Sequence, residues 1–154
     1  MAAVFIICTL LTLIFIFRNS MDGREESTAK SGQLLVFLQE TLGLKFLTNH
    51  ILRKIAHVVE FAFLGFFAEG VFLLALNLIF KKYAGRVSLV FTVLFGLITA
   101  LLDETVQIYT DRGSMVTDAW IDFSGVVLGS LFCLILHSVI KHFLEKRGDK
   151  KTNG

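Results

Sequence analysis

The sequence predicts an all-α membrane protein built as a bundle of transmembrane helices. Hydrophobic residues make up 55% of the 154 residues and charged residues only 18%, whereas a soluble domain has about 25% charged residues. The chain has no proline, which favours uninterrupted helices, and its apolar residues fall in four long runs. The formal net charge of +2 gives no argument for a nucleic-acid partner. At this length we expect residues 1–154 to form one domain.

The first third of the chain is predicted to hold one span, a loop and a surface helix. Residues 3–17 form an uncharged apolar run without the basic start and the small-residue cleavage pattern of a signal peptide, so we interpret them as a transmembrane helix. Residues 18–30 are polar and are interpreted as a loop. Over residues 33–52, apolar side chains recur near helical spacing, which predicts a helix lying in the membrane interface.

Three further spans are predicted after this interfacial helix. Residues 55–80 would extend about 39 Å, more than a hydrocarbon core of about 30 Å, so we expect their polar start to project from the membrane. Residues 87–102 form the third span, and its helix is expected to continue to residue 109. A turn over residues 110–117 leads to a fourth span over residues 119–140, and residues 141–154 form a basic polar tail.

The distribution of basic residues suggests the orientation. With an inside N-terminus, eight Lys and Arg residues fall on the cytoplasmic side and seven on the other. The short loop over residues 81–86 holds three basic residues and no acid, which favours a cytoplasmic position. We therefore expect both termini in the cytoplasm.

Acidic and amide side chains concentrate between the third and fourth apolar runs, over residues 103–129. Asp103 and Gln107 are four residues apart, as are Asp118 and Asp122, so each pair shares one face of its helix. A charge at membrane depth costs about 2.5–3.5 kcal/mol on insertion scales, so these acids need a compensating role. The spacing therefore locates a candidate functional site.

Helix topology predicts that polar residues far apart in the chain meet at one level. The second and fourth spans begin on the side of the membrane where the third span ends. The residues expected at this level are His57, Glu60, Asp103, Glu104, Gln107, Arg112, Asp118 and Asp122. Gly125 and Gly129 continue the face of Asp122 and would let the fourth helix pack closely on a neighbour. We therefore predict a polar pocket at the lipid–water boundary, on the outer face.

Two spaced motifs resemble those of the VanZ-like family of small bacterial membrane proteins. The first is basic-x-x-His-x-x-Glu-aromatic, which begins here at Lys54 and includes His57 and Glu60. The second is Asp-Glu-x-x-Gln, then an arginine, then Asp-x-x-x-Asn/Asp-x-x-Gly-x-x-x-Gly, which covers residues 103–129 with Arg112 as the arginine. The family often has Asn at the position of Asp122 and often has Pro-Gly before the arginine, which this chain lacks.

The resemblance covers residues 50–130 and implies a multipass protein of the bacterial cytoplasmic membrane. It also implies a link to reduced susceptibility to teicoplanin-type glycopeptides. That link is an associated phenotype and not a mechanism.

The acids of the polar stretch have two interpretations. Asp103, Asp118 and Asp122 are candidate ligands of a divalent cation, because oxygen-rich clusters suit Mg²⁺ and bound Mg²⁺ retains phosphate ligands. In the alternative, Arg112 and Lys54 neutralise the acids in a structural network. The sequence supports both interpretations equally.

The remaining polar residues of the second span also have two interpretations each. His57 and Glu60 are candidates for proton transfer or metal binding, and the alternative is a hydrogen-bonded pair. Arg53 and Lys54 could hold a lipid phosphate or simply anchor a helix end. For Glu69, near mid-bilayer, we expect a hydrogen bond to another helix. The candidate ligand-binding residues are Arg53, Lys54, Glu104, Gln107 and Arg112.

Two functions are consistent with such a pocket. The first is binding of an anionic membrane lipid or lipid-linked cell-wall intermediate, with glycopeptide tolerance arising because the drug target is masked or altered. The second is an intramembrane metal-dependent hydrolase or transferase acting on a lipid phosphate or diphosphate, with a divalent cation as cofactor. A transporter is disfavoured because four short spans leave no room for two gated halves.

Overall fold

The computed structural model describes residues 2–110 and 115–152, without the side chains of residue 24 and residues 147–152. The described chain is almost entirely helical, which confirms the predicted all-α class. Its helices are α1 (Ala2–Met21), α2 (Arg24–Leu42), α3 (Asn49–Phe80), α4 (Ala84–Tyr109) and α5 (Val116–Thr152), with a short 3-10 turn at Lys81–Tyr83.

Within these residues, three segments are long and apolar enough to cross a membrane: Ala2–Met21, Asn49–Tyr109 and Val116–Lys146. The predicted count of four separate spans is therefore wrong, because the second and third predicted spans belong to one segment of 61 residues. A straight helix of that length would measure about 92 Å, far more than a bilayer core. The segment turns at Lys81, where φ is 30°, and α3 and α4 pack as antiparallel arms.

The region between the first two apolar segments is more helical than predicted. α1 continues to Met21 and α2 begins at Arg24, so the predicted loop over residues 18–30 is wrong. The predicted interfacial helix over residues 33–52 is also divided. α2 ends because Gly43 has a φ of 67°, the left-handed conformation that commonly terminates helices. The Thr48 side chain then caps α3 by accepting a hydrogen bond from the amide of Ile51 at 3.3 Å.

The apolar residues of α2 fall mainly in its second half instead of forming one stripe along the helix. A position of α2 in the membrane interface stays a prediction. The basic polar tail predicted after residue 140 is helical as far as it is described, because α5 continues through residues 141–152. Those residues contain no proline and include four lysines, which are good helix formers.

The helix α3 lies at the centre of the bundle and contacts each of the other four helices. The core cluster of buried side chains comes from α1, α3, α4 and α5: Ile16, Phe61, Leu64, Ala100 and Val126. These contacts hold the polar starts of α3 and α5 beside the end of α4, which is what positions the candidate site.

Glycines allow α3 and α5 to approach each other closely. A Cβ at Gly129 would meet the carbonyl of Ala62, and one at Gly125 would meet the carbonyl of Val58. In the opposite direction, a Cβ at Gly65 would meet the backbone of Val126. The close packing predicted for Gly125 and Gly129 is confirmed.

Replacement of Gly129 by alanine is expected to destabilise the bundle by about 1–3 kcal/mol, because the new methyl group forces the α3 and α5 backbones apart. The matched control is Gly32→Ala on α2, where a Cβ meets no atom within 4 Å. It is expected to be neutral or to stabilise by up to about 1 kcal/mol, since alanine is the better helix former. Thermal unfolding of the purified protein in detergent measures both, and equal melting temperatures would contradict the packing.

Candidate functional site

The centre of the site is His57 on α3, whose Nδ1 faces two buried carboxylates. Nδ1 lies 3.2 Å from Oδ1 of Asp122 on α5 and 3.9 Å from Oδ2 of Asp103 on α4. The exposed fraction is 0% for Asp103 and 1% for Asp122. Because a buried ion loses several kcal/mol of hydration, two carboxylates at this depth require positive charge or hydrogen-bond donors close by.

Hydrogen bonds from two helices hold the carboxylate of Asp103. Its Oδ1 accepts from the hydroxyl of Ser20 on α1, and its Oδ2 accepts from Nε2 of Gln107 at 2.6 Å. The hydroxyl of Thr110 in turn donates to the carbonyl of Ser20 at 3.1 Å, which ties the end of α1 to the end of α4. Asp103 is thus fixed in orientation by groups other than His57.

Asp122 is held differently. Its Oδ1 is close to His57, but neither of its oxygens has a hydrogen-bond partner with acceptable geometry among the residues that the structure describes. A buried carboxylate in this state has unused capacity to bind a cation or a donor group.

Asp122 and His57 lie in the wall of a cavity of about 130 Å³. This volume equals that of about four water molecules at roughly 30 Å³ each, which is enough for a cation with a small anionic group. The residues lining this polar cavity are His50, Arg53, Lys54, His57, Glu104, Gln107, Met115, Asp118, Ile121 and Asp122.

Two basic residues of α3 belong to the polar cavity. Lys54 Nζ lies 3.3 Å from Oδ1 of Asp118, so one acid has a direct counter-ion, as the structural interpretation of the sequence expected. The Nε of Arg53 is buried and has no hydrogen-bond partner within residues 2–110 and 115–152. Arg53 therefore has a donor available for a ligand.

Glu60 lies apart from the polar cavity. Its Oε1 accepts a hydrogen bond from Nδ2 of Asn19 at 3.1 Å, and its side chain lines a second cavity between α1, α2 and α3. His57 borders both cavities. His57 and Glu60 are therefore near each other, but no hydrogen bond joins them among the contacts that the structure describes. A shared role of the two in proton transfer stays a prediction.

A family model described as VanZ/LLP1 matches residues 4–137 of the chain. The chain belongs to the VanZ/LLP1 family. This confirms the resemblance seen in the motifs and extends it beyond residues 50–130 to most of α1 and α5. No curated protein and no solved structure matches the chain. Family membership and the three apolar segments fit a membrane protein.

In this VanZ/LLP1 protein, His57, Asp103 and Asp122 are close enough together to be candidate ligands of one cation. One ligand atom from each can be chosen so that all lie within 4.8 Å of one another. Two ligands of one small divalent cation, each at about 2.1 Å, are at most about 4.2 Å apart, and the distances of 3.2 Å and 3.9 Å from His57 Nδ1 to the two carboxylates fall under that limit. A single imidazole with carboxylates suits Mn²⁺ or Zn²⁺ better than Mg²⁺, which prefers oxygen ligands.

The other predicted site residues occupy different places. Asp118 lines the polar cavity beside Lys54 instead of joining the three-residue cluster, and its role as a metal ligand stays a prediction. Glu104 and Gln107 also line the cavity, and Gln107 supports Asp103. Arg112 lies outside the described residues.

Sequence reasoning missed the contributions of α1 to the site. Ser20 and Asn19 were assigned to a loop, whereas they form the last turn of α1 and hold Asp103 and Glu60. A signal was present, because the apolar run over residues 3–17 is shorter than the roughly 20 residues that a span needs. Extending that helix by one turn brings both polar side chains to the level of the site.

Glu69 forms a separate buried polar group in the VanZ/LLP1 chain. Its Oε1 accepts a hydrogen bond from Ser88 at 2.5 Å and its Oε2 accepts one from Thr92 at 2.7 Å, both on α4. The predicted hydrogen bond to another helix is confirmed. Both carboxylate oxygens are satisfied, in contrast to those of Asp122.

Replacement of Asp122 by asparagine is expected to weaken binding of Mn²⁺ at least about tenfold, since a charged ligand is lost from the cluster. Glu69→Gln is the matched control, because it neutralises another fully buried acid that is not part of the cluster. The free Mn²⁺ signal in electron paramagnetic resonance measures binding by the purified protein. Unchanged binding by Asp122→Asn would contradict the assignment of this site.

Proposed function

We propose that this membrane protein binds the phosphate headgroup of an anionic cell-envelope lipid in the polar cavity, through a divalent cation held by His57, Asp103 and Asp122. The observation that carries the proposal is that two members of this cluster, His57 and Asp122, line the same cavity as Arg53 and Lys54, with Asp103 buried behind them. Cations bound by carboxylates commonly retain phosphate oxygens as further ligands, and guanidinium and ammonium groups are phosphate donors.

The charges around the cavity favour a cation and an anion together. Among the described residues, the carboxylates of Glu104, Asp118 and Asp122 line the cavity with Asp103 buried beside His57, and the fixed positive charges on the cavity wall are Arg53 and Lys54. An anion alone would be repelled by this excess of negative charge. A divalent cation offsets the excess and provides a ligand position for phosphate.

In the membrane arrangement that suits this function, the antiparallel arms α3 and α4 each cross the membrane, so that both termini lie in the cytoplasm, with the polar cavity at the outer face and α2 in the outer interface. In that arrangement, a lipid or a lipid-linked cell-wall intermediate reaches the cavity from the outer leaflet. Tolerance of teicoplanin-type glycopeptides would then arise because the bound lipid masks or alters the drug target.

A metal-dependent hydrolase or transferase acting on a lipid phosphate or diphosphate is the second candidate. The observation that favours it is the placement of His57, which lines the cavity while its Nδ1 faces two carboxylates. Carboxylates that fix one ring nitrogen orient the other for proton transfer, so His57 could accept a proton from an attacking water. A divalent cation supplies Lewis-acid chemistry at such sites.

Binding and turnover are separated by incubating the purified protein with polyprenyl phosphate or polyprenyl diphosphate in the presence of Mg²⁺, Mn²⁺, Zn²⁺ or a chelator. We expect lipid retention that requires a cation and falls at least about tenfold in Arg53→Ala, because phosphate loses a charged donor. Lys141→Ala is the control, since Lys141 is exposed and pairs only weakly with Glu145 at 4.0 Å.

Lipid retention without product supports the binding function, whereas product formation that His57→Ala abolishes supports the enzyme. Teicoplanin susceptibility of cells carrying Asp118→Asn, Arg112→Ala or the parent protein provides an independent readout. If Arg53→Ala, Asp118→Asn and Arg112→Ala all retain lipid and phenotype unchanged, both functions are excluded.

A further inference from the structure

The polar cavity has a neighbour on the other side of α3. This second cavity, of about 290 Å³, lies between α1, α2 and α3 and shares Arg53 and His57 with the first. Its wall is mixed, with Asn19 and Lys30 among the polar residues and Phe15 among the apolar ones. Arg53 and His57 can therefore be approached from the α1 and α2 side as well as from the side of α4 and α5.

An apolar groove continues from the second cavity along α3. A third cavity, of about 410 Å³, shares Phe15 and Glu60 with the second, and a fourth, of about 420 Å³, shares Val59 and Phe63 with the third. The shared residues make the four spaces neighbours in one series. We call the third and fourth cavities the α3 groove, defined by Leu11, Phe15, Val59, Phe63, Leu128 and Phe132.

The chemistry of this series changes in one direction. It begins at the buried Nε of Arg53, which has no hydrogen-bond partner among the described residues, passes Asn19 and Glu60, and ends among aromatic and aliphatic side chains at Phe67. From Arg53 to Phe67 the helix α3 rises by about 21 Å. The cavities thus change from polar to apolar over a distance close to the thickness of one bilayer leaflet. A single lipid molecule has the same order, with a polar headgroup followed by an apolar chain.

The floor of the α3 groove depends on the absence of a side chain. Gly129 lines the fourth cavity, and its Cα approaches the α3 backbone so closely that a Cβ would meet Ala62. On the rim, Phe63 and Phe132 expose 55% and 61% of their surfaces. The groove is therefore open along its length toward the lipid phase.

We propose that the α3 groove holds the hydrocarbon chain of the ligand whose phosphate occupies the polar site. This inference rests on the proposed function and narrows its ligand to a phosphate ester of a long-chain alcohol, excluding free phosphate. The occupant is a lipid because the groove opens to the membrane and adjoins the second cavity at Phe15 and Glu60, and the second cavity in turn borders the phosphate site at Arg53 and His57.

The hydrocarbon chain of the ligand contributes to binding mainly by positioning the phosphate, and only a little through the hydrophobic effect. Surrounding lipid tails are as apolar as the groove, so transfer of a chain from the bilayer gains only packing contacts. A seated chain nevertheless keeps its phosphate at the polar end of α3, which raises the effective concentration of phosphate at the site. The long-chain ester should therefore bind more tightly than a short-chain ester with the same headgroup.

The test measures the affinity of the 154-residue protein, in detergent with Mn²⁺, for two phosphate monoesters: hexadecyl phosphate and methyl phosphate. Val59→Trp fills the groove at a side chain that is 48% exposed, and Val90→Trp is the matched control on α4, where the valine is 58% exposed and lines none of these cavities. We expect Val59→Trp to weaken the binding of hexadecyl phosphate at least about fivefold, or about 1 kcal/mol, and to leave the binding of methyl phosphate unchanged.

Equal affinities of Val59→Trp and Val90→Trp for hexadecyl phosphate would overturn the proposal that the groove holds the hydrocarbon chain, and would leave the phosphate site unaffected. That result is unambiguous if Asp122→Asn loses binding of both esters while Val59→Trp binds both as tightly as the parent protein does. If Asp122→Asn also binds both esters normally, the phosphate site itself fails. If the natural ligand is free phosphate, the parent protein should bind the two esters equally well, because the hydrocarbon chain then contributes nothing.

A second measurement locates the chain directly. In a Trp120→Phe background, a single tryptophan at position 63 (Phe63→Trp) should be quenched by an alkyl phosphate brominated along its chain. A single tryptophan at position 90 (Val90→Trp) should keep its fluorescence at the same ligand concentration. Equal quenching at both positions would show general partitioning into detergent and would contradict a seated chain.

Discussion

The burial of Asp103 and Asp122 against His57 is the constraint on which this structure depends. Carboxylates removed from water persist only where charge or hydrogen bonds replace their hydration. Asp103 obtains that replacement from α1 and from its own helix, through Ser20 and Gln107. Asp122 has His57 alone within the described chain, and this incomplete satisfaction is the reason for proposing a ligand there.

The bundle is organised so that this burial is possible. Glycines bring α5 against α3, which places Asp122 beside His57, and the antiparallel packing of α3 and α4 adds Asp103. The buried acid at Glu69 provides an internal comparison, since two hydroxyls of α4 satisfy both of its oxygens. Within the described residues, Glu69 is thus a structurally satisfied carboxylate, whereas Asp122 has oxygens without a hydrogen-bond partner and lines the polar cavity.

Sequence alone predicted the helical class and the association of polar residues across three helices. The four-residue spacings and the alternation of helix direction were sufficient for His57, Asp103 and Asp122, because helical geometry fixes both face and level. The same rules did not give the count of apolar segments, since nothing in the composition distinguishes a loop from a 3-10 turn at Lys81.

Side-chain pairing lay beyond the sequence pattern. The expected pairing of His57 with Glu60 followed from a shared helix face, but rotation of α3 presents Glu60 to Asn19 and His57 to both cavities. The end of α2 depended on the backbone conformation of Gly43, which spacing does not encode. The apolar groove depended on the relative placement of α1, α3 and α5, which only tertiary packing determines.

Electron–nuclear double resonance on the Mn²⁺-loaded protein with hexadecyl phosphate tests the central claim most directly, because it reports which nuclei lie next to the cation. The account predicts a ¹⁴N coupling that disappears in His57→Ala, together with a ³¹P coupling from the bound ester. A Mn²⁺ spectrum with water couplings alone, or with phosphorus but no nitrogen, would contradict a cation held between His57 and the two buried carboxylates.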